Sequence, residues 1–114
     1  MIAWWQRLCG CGKLKTVTTL ADALKDTDKS RAILFRGIGE DVLEQVFAEM
    51  CDEVGIESYV TSLDNADGAL LDHFCVNHVP VCVFIVKNKW TYIMPAPTAA
   101  TIANAKTWLH NSCA

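Results

Sequence analysis

Six cysteines carry the most reactive side-chain chemistry in this chain, and their positions divide them into separate cases. Cys9 and Cys11 stand one residue apart with Gly10 and Gly12, beside Arg7, Lys13 and Lys15. Nearby positive charge favours the thiolate, the form that attacks disulfides and binds metals. The two thiols could form a strained disulfide and act as a redox site. They could also hold a soft metal with His110 and Cys113 if the two chain ends meet. Leu8-Cys9-Gly10-Cys11 has the outline of a lipoprotein cleavage box, but no adequate apolar segment precedes it. A chemically minor tail is the remaining reading, with Trp4 and Trp5 beside Arg7 available to a partner or a membrane surface.

Cys51, Cys75 and Cys82 fall in apolar stretches, where a free cysteine behaves as a small hydrophobic residue, so all three are assigned to the core. His73 and His78 flank Cys75, yet helical spacing does not let positions 73, 75 and 78 point the same way while Cys75 packs inward. No metal site and no cofactor are therefore assigned.

With 114 residues, 52% of them hydrophobic and 20% charged, the chain forms one compact domain, which excludes two full domains and intrinsic disorder. Six cysteines are too few for a disulfide-scaffolded miniprotein of this length. Gln6 and Arg7 interrupt the apolar start, so no export signal is expected. Pro80, Pro95 and Pro97 break the longest charge-free stretches, so no membrane span is expected either. These features predict a soluble, cytoplasmic protein. The net charge of −3 conceals an uneven distribution, because residues 37–86 hold ten acids and no lysine or arginine, whereas residues 87–114 hold three lysines and no acid. The acidic block is either a solvated surface or a docking surface for a basic partner.

Periodicity sets the order of elements. A short strand over Leu14 to Val17 precedes a helix capped by Thr19, with Asp22 at its third position. Ala32-Ile33-Leu34-Phe35 is an unbroken apolar run, suited to a strand buried on both faces. After Gly37-Ile38-Gly39, a helix places Val42, Leu43, Val46, Phe47, Met50, Cys51 and Val54 on one face and stops at Gly55. A strand from Glu57 to Leu63 leads to a helix starting at Asp64 or Asn65 that buries Leu70, Leu71, Phe74 and Cys75. Val81 to Val86 and Trp90 to Met94 then form a hairpin, and Thr98 opens a last helix with Ala99, Ile102, Ala105 and Leu109 inward. Residues 1–13 are expected to be a flexible segment and 14–114 the folded domain.

At this length, a βαβ portion followed by ββα, with His78-Val79-Pro80-Val81 opening a buried strand before Lys87-Asn88, resembles the thioredoxin-like fold superfamily. The resemblance implies an α/β fold of three layers, α/β/α, around a central mixed sheet in the order βαβαβαββα. It also implies that Pro80 is the family's cis-proline.

Thioredoxins carry Cys-x-x-Cys between the central strand and the next helix, where this chain has Gly37-Ile38-Gly39-Glu40. The family's buried aspartate has no counterpart among Ala32 to Phe35, and its lysine falls near Val60. Trp5 to Lys13 is superficially similar to the family's Trp-Cys-Gly-Pro-Cys-Lys, but it precedes the first strand and has one residue fewer between the thiols. The family surface around the junction and the proline loop binds extended peptide through backbone hydrogen bonds, which need no cysteine. The resemblance therefore implies a protein or peptide interaction module using Gly37, Ile38, Gly39, Glu40, Val79 and Pro80, with the loop after Pro95 as a further wall. The alternative is a divergent thiol–disulfide oxidoreductase using Cys9 and Cys11. Gly37-x-Gly39 is too weak a signal for nucleotide binding, Glu40 would repel phosphate there, and no nucleic-acid partner is expected.

Overall fold

The computed structural model of the protein describes residues 15–24, 30–86 and 90–113. Within them the elements run β1 (Lys15–Thr16), α1 (Leu20–Leu24), β2 (Arg31–Phe35), α2 (Asp41–Val54), β3 (Glu57–Thr61), α3 (Gly68–His73), β4 (Val81–Val86), β5 (Trp90–Pro95) and α4 (Ala99–Cys113). The strands form one sheet in the order β1-β3-β2-β4-β5. β1 and β2 each run parallel to β3, whereas β4 runs antiparallel to both β2 and β5, so the sheet is mixed.

Every residue of β2 is buried, as its unbroken apolar run requires of a strand covered on both faces. Ala32 and Leu34 point to the side where α2 and α4 pack through Phe47, Met50, Ile102, Ala105 and Leu109. Ile33 and Phe35 point to the other side, against Ala23 of α1, Leu70 of α3 and the adjoining Phe74. The result is three layers, helices on both faces of the sheet.

Caps mark where the helices begin and end. Thr19 Oγ1 accepts the Asp22 N–H at 3.1 Å at the start of α1. Gly55 closes α2 with a φ of 88° and donates its N–H to Cys51 O at 2.8 Å. Thr98 opens α4 by exchanging hydrogen bonds with Thr101, its Oγ1 accepting the Thr101 N–H at 3.2 Å and its N–H donating to Thr101 Oγ1 at 2.7 Å. Replacing such a cap costs about 1 kcal/mol.

Four local expectations need correction. α3 does not begin at Asp64 or Asn65, which lie in a turn where Ser62 Oγ accepts the Asn65 N–H. It begins after Asp67, whose Oδ1 accepts the Leu70 N–H at 2.8 Å while its own N–H donates to Thr18 O. β3 ends at Thr61, short of Leu63. Cys75 is exposed because it adopts a φ of 57° just past α3, turning its side chain off the helix face. Val42 and Ala99 each occupy the first turn of a helix, before its apolar face meets the sheet, and are exposed.

Among the described residues, Arg31 is the largest fully buried side chain, which composition alone does not suggest for a charged residue. Its Nη1 donates to Ala23 O at 2.7 Å and its guanidinium lies 5.7 Å from the centre of the Tyr59 ring. It thereby ties α1 to the base of the central strand.

The left-handed backbone at Cys75 favours glycine, which has no Cβ to clash. Cys75→Gly is expected to stabilise the protein by about 0.5–1 kcal/mol, a rise of a few degrees in Tm by calorimetry.

Candidate functional site

β2 and β4 pair antiparallel with Phe35 opposite Val81. Continuing that register past both strand ends brings residue 37 to residue 79. A Cβ built on Gly37 would lie 3.0 Å from Val79 Cγ2, a contact tight enough that any larger residue here must push the Val79 side chain aside. The Val79–Pro80 peptide bond is cis, and β4 starts immediately after it. The junction between β2 and α2 and the loop before β4 thus meet at one end of the central strand pair.

The junction is held by Arg36 rather than by a helix cap. Glu40, at the N-cap position of α2, makes no side-chain capping bond. Arg36 Nε donates to Gly37 O at 3.1 Å, Nη1 to Glu44 at 2.7 Å, and Nη2 lies 2.9 Å from Asp41. These carboxylates, Glu44 foremost, raise the guanidinium pKa above its ordinary value despite burial. They also place negative charge in the first turn of α2, where the helix dipole favours it. The sequence signal for this clamp was an arginine followed five and eight residues later by acids, straddling a predicted helix start.

Arg36, Gly37, Ile38, Glu44, Thr61 to Asn65 and Val79 line an open groove of about 490 Å³. Of the predicted residues, Gly37, Ile38 and Val79 line it directly. Gly39, with a φ of 85°, and Glu40 continue along the same junction, and Pro80 stands between Val79 and β4. Ile38 and Val42 are exposed apolar side chains at 105% and 70%, one on the junction and one in the first turn of α2. The second wall is the end of β3 and the loop over residues 62–65, to which no sequence signal points; the loop after Pro95 does not line the groove.

Cys9 and Cys11 lie outside the described residues, as does the side chain of Cys113. Cys51 and Cys82 are both buried on the face covered by α2 and α4. Burial raises both thiols above their ordinary value of 9.0, which keeps them protonated and inert near neutral pH. His73, Cys75 and His78 are all exposed, and His78 Nδ1 lies 2.8 Å from Asn77 Oδ1. Among the described residues, no group of three or more His, Cys, Asp or Glu side chains could hold a metal ion. No helix among them is long and apolar enough to cross a membrane.

No protein-family profile matches the chain, and no curated protein does. Solved structures do. The J-Trx1 fragment of ERdj5 superposes with a TM-score of 0.66 at 13% identity over 89% of this chain, which spans only about half, 53%, of that fragment. Chloroplastic thioredoxin z superposes with a TM-score of 0.64 at 14% identity, covering 86% of this chain and 95% of the other. The chain has the thioredoxin fold. Thioredoxin O2 from Arabidopsis thaliana, in its oxidized state, gives a TM-score of 0.64 at 13% identity over 86% of this chain and 95% of that one. A putative oxidoreductase with a thioredoxin fold gives 0.59 at 12% identity over 85% and 96%. Identities this low establish the fold alone. In this thioredoxin fold, the turn from central strand to helix is built from Gly37, Ile38, Gly39 and Glu40, clamped by Arg36.

Three outcomes follow from this geometry. Gly37→Ala should cost about 1–2 kcal/mol in urea denaturation, and close to nothing in a Val79→Ala background, because the two side chains compete for one space. Alkylation at pH 8 should label Cys75 in the native state and reach Cys51 and Cys82 only on unfolding. Because folding raises the pKa of both buried thiols, the unfolded chain loses those protons first, so stability should fall as the pH rises above the ordinary thiol value of 9.0.

Proposed function

We propose that the protein binds an extended, basic segment of a protein partner along the groove beside Gly37 and Val79. The approach of Gly37 to Val79 carries this reading, since it joins two stretches of irregular backbone beside an open groove. Backbone groups outside regular pairing are what a strand-like ligand can use, and side chains at the rim then select among ligands. Ile38 and Val42 supply exposed apolar contact.

Charge sets the preference for a basic ligand. Glu40, Asp41, Glu44 and Asp64 lie on the junction, the first turn of α2 and the opposite loop, with Arg36 as the cation bonded among them. The surplus is negative, and a lysine- or arginine-bearing segment offsets it, chiefly by speeding encounter and rejecting acidic segments. Thiol chemistry is not required for this mode of binding. Dithiol exchange through Cys9 and Cys11 is the competing activity.

The decisive measurement is fluorescence anisotropy with a short labelled peptide alternating valine and lysine, beside its valine–glutamate counterpart. The lysine peptide should bind more tightly, lose affinity in high salt, and lose about tenfold on combining Glu40→Lys with Asp64→Lys, neither of which makes an ion pair with Arg36. Equal affinity for the glutamate peptide would overturn the reading. So would turnover in an insulin-reduction assay that disappears in Cys9→Ser or Cys11→Ser.

A further inference from the structure

β5 is an edge of the sheet, and within its own span it carries few of the features that ordinarily keep an edge strand from pairing with another chain. Trp90 to Met94 carry no charge, and Pro95 stands only at the last position. Among the described residues, Trp90, Tyr92 and Ile93 are three of the five exposed large apolar side chains, at 36%, 45% and 38%. A scatter of single exposed apolar residues is ordinary, but their concentration on one edge strand is not.

The residues also form a built surface. Alternation along the strand puts Trp90, Tyr92 and Met94 on the face covered by α4, where Trp108 meets them. The Trp108 ring centre lies 5.7 Å from that of Trp90, 5.6 Å from Tyr92 and 5.4 Å from the buried Phe84, the last two edge-on. Trp90, Tyr92, Met94 and Trp108 line an open, mainly apolar groove of about 320 Å³. Aromatic rings fixed against one another in this way lose little entropy on binding.

We propose that β5 pairs with β5 of a second copy of this chain, antiparallel about a two-fold axis through Tyr92, so that two five-stranded sheets become one. A two-fold contact requires one patch to be complementary to itself. About Tyr92, Trp90 of each copy faces Met94 of the other and Thr91 faces Ile93, so every opposed pair is uncharged and aromatic rings meet apolar partners. An axis through Ile93 would instead set Pro95 against Thr91, and proline has no N–H to contribute to a ladder. The register about Tyr92 keeps Pro95 outside the five paired positions. It also carries each copy's exposed Trp90 and Tyr92 toward the other's aromatic groove.

The area determines how strong the contact is. Trp90, Tyr92 and Ile93 are each already more than half buried, so covering them with the strand backbone removes a few hundred Å² per copy, against about 800 Å² per partner in a standard stable interface. The dimer is therefore reversible and depends on concentration. It uses none of the residues of the groove beside Gly37, so the two proposals stand or fall separately.

Sedimentation velocity of the full chain from low micromolar to about millimolar concentration tests the pairing. The weight-average mass should climb from one chain toward two. Tyr92→Lys sets ammonium against ammonium at the axis and should weaken dimerisation at least about tenfold. Thr91→Lys should do the same from the opposite face of the strand without touching the packing on Trp108. Far-UV circular dichroism and the urea midpoint establish that each variant remains folded. A wild type that stays a single chain throughout overturns the proposal and leaves the edge to a different occupant, such as an extended foreign strand. A dimer that both lysine variants leave unchanged overturns it as well, because its interface then lies elsewhere.

Discussion

The antiparallel pairing of β2 with β4 is the constraint on which the rest of this structure depends. Arg31 to Phe35 lie opposite Ile85 to Val81, and these are the two most deeply buried strands of the sheet. A slip of one residue would exchange Ala32 and Leu34 for Ile33 and Phe35 across the sheet, sending each into the wrong core. Full burial on both faces therefore specifies the register strongly. That register in turn carries the chain ends past Phe35 and Val81 until Gly37 meets Val79. This part of the candidate site is a consequence of core packing: the junction and the loop before β4 approach because the strands beneath them cannot shift.

Two arginines stabilise opposite ends of the central strand in different ways. Arg31 is taken wholly out of water, and its bond to Ala23 O and its position over Tyr59 join α1 and β3 to the start of β2. A buried charge of this kind is tolerated only where its hydrogen bonds are supplied, and its removal leaves partners unsatisfied. Arg36 is only partly covered and works outward. It bonds the junction backbone and the first turn of α2 together, doing for that helix what a capping side chain does elsewhere. Because its positive charge is used locally by Glu44 and Asp41, the electrostatic character of the groove is set by the remaining acids.

Much of this was legible in the amino-acid pattern. The unbroken apolar run at Ala32 to Phe35, the spacing from Leu43 to Val54 with Gly55 as its stop, and the paired runs on either side of residue 88 each belong to the element expected of them. Where the reading erred, local signals were ambiguous. Asp64, Asn65 and Asp67 are all good caps, and a backbone bond from Asp67 to Thr18, distant in sequence, accompanies the cap that is used. Cys75 has the composition of a core residue but sits two residues past the end of its helix in a left-handed conformation, which apolar periodicity does not register.

The sequence by itself determined the order and type of elements, most of the apolar residues that form the core, and that the junction after the central strand contains Gly37-Ile38-Gly39-Glu40. These follow from periodicity and side-chain chemistry, both properties of neighbouring residues. Only the tertiary structure decided that the end of β3 and the loop after it, rather than the chain after Pro95, form the second wall of the groove, and that Trp90, Tyr92 and Trp108 gather at a sheet edge. Each of those depends on strand order and register. These bring together residues tens of positions apart through burial on both faces of the sheet, and no local pattern encodes them.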